Sequence, residues 1–171
     1  MGKVSIVYWS GTGNTEAMAA AMAEGAKDAG AEVELLTVDK ADAAALSEAK
    51  AFALGCPAMG AEELEEGEME PFMAELDSQI AGKTIALFGS YGWGGGEWMR
   101  EWESRVAADG AAVLSGEGII ADNAPDDDVL EECRAARACT ATGTLSVSLQ
   151  FFAKDGPGGE KTEEPTAKKL S

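Results

Sequence analysis

An apolar run from Val4 to Trp9 breaks abruptly at Ser10 into the six small or hydroxyl-bearing residues SGTGNT, and a helical pattern through Ala17, Met18, Ala21 and Met22 starts at once. A buried strand, a tight loop and a helix N-terminus in that order constrain the chain to an α/β fold. Gly11 and Gly13 let the backbone turn sharply and approach a ligand closely. Ser10, Thr12, Asn14 and Thr15 place side-chain donors beside the free N–H groups of the first helical turn. Such a loop suits an anion, phosphate above all.

What the loop lacks narrows the choice further. It contains no Lys or Arg, so it is not the GxxxxGK loop of nucleoside triphosphate enzymes. A dinucleotide fingerprint would need a third Gly where Glu16 stands. What remains is a neutral cradle for one phosphate held by N–H and O–H dipoles, with a ligand-free Gly-rich turn as the competing reading.

The chain's 171 residues suffice for one domain with a real core, and no apolar run reaches membrane-spanning length. MGKVSIVYW leads into a strand rather than a signal peptide, so a cytoplasmic location is expected, with no membrane partner. Cys56, Cys133 and Cys139 lack paired spacing and the chain has no His, which argues against a disulfide framework or a zinc site. The formal charge of -18 argues against a nucleic-acid partner. Residues 1 to 139 hold 27 acidic and 9 basic residues and 140 to 171 hold 4 of each, so the excess lies in the first part. An acidic surface keeps a protein in solution, and it also steers it toward a basic partner.

Downstream, strands are expected over Ala31 to Val38, Lys50 to Gly55 and Lys83 to Ser90. A fifth, over Ala112 to Ala121, is interrupted around Ser115 to Gly118. Helices are expected over residues 42 to 49, Glu70 to Ile80, the stretch of Trp98, Trp102 and Val106, and Asp126 to about Ala138. Five strands alternating with helices predict a doubly wound parallel sheet covered on both faces. Ligands of such sheets sit outside the carboxyl ends of the strands, where the winding reverses. The loops Ser10 to Thr15, Cys56 to Glu63 and Ser90 to Gly95 should therefore meet. The first suits a phosphate, and the others bring Met59 and Trp93 among glycines, so a flat heteroaromatic ring bearing a phosphate would satisfy all three.

The motifs YWSGTGNTEAM, LGCPAMG and LFGSYGWGGGEWMR, in that order and spacing, closely resemble the short-chain flavodoxins, small FMN-binding electron carriers. The resemblance covers roughly residues 3 to 138 and implies a five-stranded sheet of order 2-1-3-4-5. It implies that Ser10, Gly11, Thr12, Gly13, Asn14 and Thr15 bind the FMN phosphate and that Met59 and Trp93 flank the isoalloxazine ring. Ser90, Tyr91 and Gly92 would line the pyrimidine side and ribityl chain, and Glu62 would hydrogen-bond ring N3. Pro57, Ala58, Gly60 and Gly94 complete the implied set, Gly60 by turning its carbonyl toward ring N5 on one-electron reduction. A low-potential one-electron carrier with no substrate of its own follows, monomeric and docking on redox proteins through their basic patches.

The domain implied spans residues 1 to 139. The remainder, 140 to 171, is expected to be a disordered polar tail, and LQFFAKDGPGGEKTEEPTAKKLS within it resembles the N-terminal segment of the flagellar export-apparatus switch proteins. Three rivals stand beside the carrier. A flavin-dependent quinone reductase would need a nicotinamide site, for which the chain has no long insertion. A phosphate-accepting receiver module would need acidic residues where Trp9–Ser10 and Cys56–Pro57 stand. An export-apparatus fusion fragment rests on the tail alone.

Overall fold

The computed structural model describes residues 3–142, so the expected tail lies outside the described residues except for its first three positions. The chain alternates as β1 (Lys3–Tyr8), α1 (Asn14–Asp28), β2 (Glu32–Thr37), α2 (Ala43–Leu46), β3 (Ala51–Gly55) and α3 (Met69–Leu76). It continues as β4 (Thr84–Tyr91), α4 (Glu97–Ala108), β5 (Ala112–Val113), β6 (Ile119–Asp122) and α5 (Asp127–Thr142). Among the described residues these strands all pair in parallel, in the order β2-β1-β3-β4-β5, with β6 also on β4.

The expected doubly wound sheet is thus present, and its fifth position is filled by two short strands in line. Thr84 and Ile85 pair with Ala112 and Val113, and Phe88 to Tyr91 pair with Ile119 to Asp122. Between them a single 3-10 turn at Leu114–Gly116 holds Ser115 at φ 65°, the interruption expected there. Glu103 of α4 accepts a hydrogen bond from the Gly118 N–H at 2.7 Å and fixes the chain where it rejoins the sheet.

The sequence pattern explains the layers. β3 is buried at every position and β4 at its six central ones, as parallel strands covered on both faces require. Met18, Met22 and Ala26 form an apolar stripe on α1 that packs with Cys133 of α5 over Val4, Ile6 and Ala53. On the other face Trp98, Trp102 and Val106 of α4 join Phe72, Met73 and Leu76 of α3 over Val7, Phe52 and Leu54. The Arg105 guanidinium locks α3 to α4. Its Nη2 donates to Asp77 Oδ2 at 2.8 Å and its Nη1 to Glu70 at 2.9 Å.

Three helix ends differ from the sequence expectation. α2 is one turn because Asp42 caps it by accepting from the Ala44 N–H, and the Ser47 hydroxyl then donates to the Ala44 carbonyl and closes it. α3 stops at Leu76, since the Gln79 N–H turns back to the Leu76 carbonyl in a tighter turn that buries Ile80. α5 continues to Thr142, past the expected end near Ala138.

Candidate functional site

The chain leaves β1 through α1 on one face and returns to β3 through α2 on the other, so the winding reverses between β1 and β3. Above that point lies a cleft of about 290 Å³. Trp9, Gly11, Thr12 and Asn14 line it from the first loop, and Pro57, Ala58 and Met59 from the loop after β3. Ser90, Tyr91, Gly92 and Trp93 follow β4, and Asn123 follows β6. Every lining residue is uncharged.

The first loop is framed by its own hydroxyls. Ser10 Oγ accepts from the N–H groups of Gly13 at 3.1 Å and Glu16 at 3.3 Å, and Thr12 Oγ1 accepts from Asn14 at 3.4 Å. Gly13 takes φ 98° where the chain enters α1, a conformation that L side chains rarely adopt. Thr15 does not face the cleft. It is 1% exposed, and its Oγ1 accepts the Ser90 N–H at 3.3 Å and lies 3.2 Å from Ser90 Oγ. Thr15 therefore ties the start of α1 to the end of β4, fixing two loops at once.

The loop after β3 is a small hairpin. Met59 and Glu63 exchange both backbone hydrogen bonds at 2.8 Å, and Gly60 (φ 51°) and Glu62 (φ 59°) turn the chain between them. Nothing would obstruct a Cβ on Gly60, so its demand for glycine comes from the backbone angle alone. This loop joins the sheet through Ala58 N–H to the Ser90 carbonyl and Cys56 N–H to the Phe88 carbonyl, both at 3.0 Å. Cys56 is fully buried beneath the cleft, and burial pushes its thiol up to about 12, so it stays neutral. Its carbonyl accepts the Trp98 indole N–H at 2.9 Å, which brings α4 under the floor.

The sequence places Glu62, Glu63, Glu65 and Glu66 together as one acidic group, and the structure separates them. Glu62 is turned away from the cleft toward the β4–α4 loop. Its Oε1 accepts the Glu97 N–H at 2.8 Å, and its carboxylate fills the space beside Gly94. Glu65 caps α3, with Oε1 accepting from Glu68 at 2.7 Å and Met69 at 2.9 Å and Oε2 from Gly67 at 2.8 Å. Negative charge at a helix N-terminus is stabilised by the free N–H groups there.

Of the residues singled out from the sequence, Gly11, Thr12, Asn14, Pro57, Ala58, Met59, Ser90, Tyr91, Gly92 and Trp93 meet on the cleft. Ser10, Gly13 and Thr15 shape it from behind, Gly60 sits at the exposed hairpin tip, and Glu62 and Gly94 face each other beside it. Two lining residues escaped sequence reasoning. Trp9 reads as the last core residue of a strand. Asn123 follows a strand whose break hid its register, although the loop after any strand at the carboxyl edge is a candidate. Asn123 takes φ 64°, and its N–H donates to the Tyr91 carbonyl at 2.7 Å.

The donor set fits a phosphorylated flavin. The first loop brings hydroxyls, an amide and a helix N-terminus to its lining, and the loops after β3 and β4 bring Met59 and Trp93, the latter 55% exposed. The comparisons with known proteins agree. The family model described as flavodoxin matches residues 6–136. The flavodoxin of Megasphaera elsdenii is 47% identical over 135 residues, covering 77% of this chain and 98% of the relative. That of Clostridium beijerinckii is 47% identical over 124 residues, covering 72% and 89%. The solved structure of two-electron reduced Megasphaera elsdenii flavodoxin superposes with a TM-score of 0.74 at 44% identity, covering 81% of this chain and 98% of that one. A flavodoxin from the domain Archaea gives a TM-score of 0.71 at 31% identity, covering 82% and 96%. The uncharged cleft at the winding reversal, its hydroxyl-bearing loop and these matches along most of the chain lead to one conclusion: the chain belongs to the flavodoxin family, FMN-binding proteins that carry electrons between redox partners.

Proposed function

We propose that FMN sits in the cleft with its phosphate on the Ser10 to Thr15 loop and its ring between Met59 and Trp93, and that the protein works as a low-potential one-electron carrier. The observation that supports this most is one uncharged cleft whose lining combines the hydroxyl and amide groups of the first loop with the Met59 thioether and the rings of Tyr91 and Trp93. Bound FMN supplies the redox chemistry, and the protein supplies position and electrostatics. Ser10 holds the cradle closed, Thr15 and Ser90 couple it to β4, and Pro57, Ala58, Tyr91 and Gly92 present backbone and ring faces to the flavin. Gly60 and Gly94 give the two ring-side loops their left-handed turns. Glu62 would hydrogen-bond ring N3 only by giving up the Glu97 N–H that its carboxylate accepts in this structure.

The partners are redox proteins with basic docking patches, because the excess negative charge of residues 1 to 139 favours association with positive surfaces. A monomer in the cytoplasm is the form in which we expect this to occur, and among the described residues no helix is long and apolar enough to cross a membrane. The test is reductive titration of the flavin-loaded protein together with an NAD(P)H:quinone turnover assay. Two resolved one-electron steps without steady-state turnover are expected, and rapid turnover would favour the quinone reductase instead.

A further inference from the structure

Trp9 joins two loops that approach the cleft from different strands. Its half-buried ring packs against the apolar core and lies over Gly11, where a Cβ would come within 3.1 Å of the indole. Its Nε1–H crosses to the loop after β3 and donates to Glu68 Oε1 at 3.0 Å. The backbone of Glu68 is anchored, because its N–H donates to the Glu65 carboxylate, which also holds the first turn of α3. A continuous path of contacts therefore runs from the first loop through Trp9 and Glu68 to the element that carries Met59.

We propose that Trp9 and Glu68 form a clasp that holds the phosphate-binding loop and the Met59 loop at a fixed spacing, and that this clasp slows release of FMN. The inference rests on the proposed placement of FMN. A cleft lined by no cation lacks a strong point attraction for phosphate, so retention depends on donors and walls held in place before the ligand arrives. Trp9 and Glu68 are positioning residues here, Trp9 through the loop it covers and Glu68 through Trp9.

The test uses the full chain with three single substitutions, Trp9→Phe, Glu68→Ala and Glu68→Gln, and the double Trp9→Phe/Glu68→Ala. In the flavin-free protein, the Trp9 indole N–H should exchange slowly with solvent in the parent and in Glu68→Gln, which keeps an acceptor, and faster in Glu68→Ala. After loading with FMN, stopped-flow release should quicken about fivefold in Trp9→Phe and in Glu68→Ala, as loss of one hydrogen bond allows. Glu68→Gln should stay near the parent, and the double variant should be no faster than either single one, since both remove the same contact. Unchanged release in the single variants overturns the clasp. So do additive effects in the double variant, or a Glu68→Gln that behaves like Glu68→Ala. A parent that takes up no FMN would instead defeat the proposed function, and the indole exchange would still show whether the two residues are joined.

Discussion

Glu65 and Glu66 stand side by side in the sequence, yet substituting them should have very different effects. Glu65 accepts three backbone N–H groups at the start of α3, from Gly67, Glu68 and Met69. In Glu65→Ala, water can replace the acceptor at the exposed Gly67 and Glu68, but Met69 is fully buried. An unpartnered buried N–H costs about 1–3 kcal/mol, and loss of a carboxylate from a helix N-terminus adds about 0.3–1 kcal/mol. The expected destabilisation is therefore about 2–3 kcal/mol for Glu65→Ala. It should fall to about 1 kcal/mol for Glu65→Gln, which keeps an oxygen acceptor without the charge. Glu66 is exposed, and Glu66→Ala should change stability by less than about 0.5 kcal/mol. Urea unfolding of the flavin-free proteins reads these differences from the midpoints, provided the slopes agree. If Glu65→Ala and Glu66→Ala unfold within about 0.5 kcal/mol of each other, the cap does not stabilise α3 and the separation of the acidic residues has no energetic content.

Neutralising Glu63 and Glu66 together to Gln should raise the second one-electron potential and weaken the salt dependence of partner association. A carboxylate ~10 Å from the added charge, at an effective dielectric of ~20, opposes it by roughly 1.7 kcal/mol, or about 70 mV, before screening. Potentiometry that finds no shift would make these carboxylates an ordinary solvated face. Thr15→Ala should weaken FMN without abolishing binding, because it leaves the buried Ser90 N–H without its acceptor at about 1–3 kcal/mol. Calorimetry showing unchanged affinity would refute that link. The third expectation concerns pH and the Asp77–Asp109 contact beside Arg105. Burial, then the hydrogen bond with Asp77 and its charge, push the Asp109 carboxyl up to about 6, and Asp109 Oδ2 is buried with no donor unless the pair shares a proton. A folded-state value above the unfolded one means that this stability is complete below about 4 and is lost as pH rises through about 6. Partial exposure and screening limit it to about 1 kcal/mol. Asp109→Asn, which carries its own donor, should flatten the melting temperature between pH 5 and 7 relative to the parent, and parallel profiles would contradict this.

The three loops that meet on the cleft were legible because each is a run of Gly and hydroxyl or small residues placed immediately after an apolar strand, a local signal that survives without knowledge of the fold. The break at Ser115 to Gly118 was legible for the same reason. Residues whose part depends on a distant neighbour were not. Four glutamates look alike in sequence, and only the fold shows that Glu62 reaches the start of α4 and Glu65 the start of α3. Arg105 reads as one charged position on a helix, although its partners lie 28 and 35 residues earlier. Trp9 carries the strongest apolar signal at its strand end, which masked its polar N–H and its place on the cleft. The early end of α3 was hidden because Ile80 continues the apolar spacing while packing from a turn.

The most direct test of the central claim is a paired titration of the flavin-free protein with FMN and with riboflavin, followed by the flavin absorption band and tryptophan fluorescence. Saturation at one FMN per chain is expected, with riboflavin bound at least a hundredfold more weakly, since the N–H and hydroxyl groups of the Ser10 to Thr15 loop that the proposed placement covers with phosphate would be left without that partner, at about 1–3 kcal/mol for each group so covered. Equal affinity for the two flavins, or no uptake of either, would contradict the assignment of that loop as the phosphate cradle.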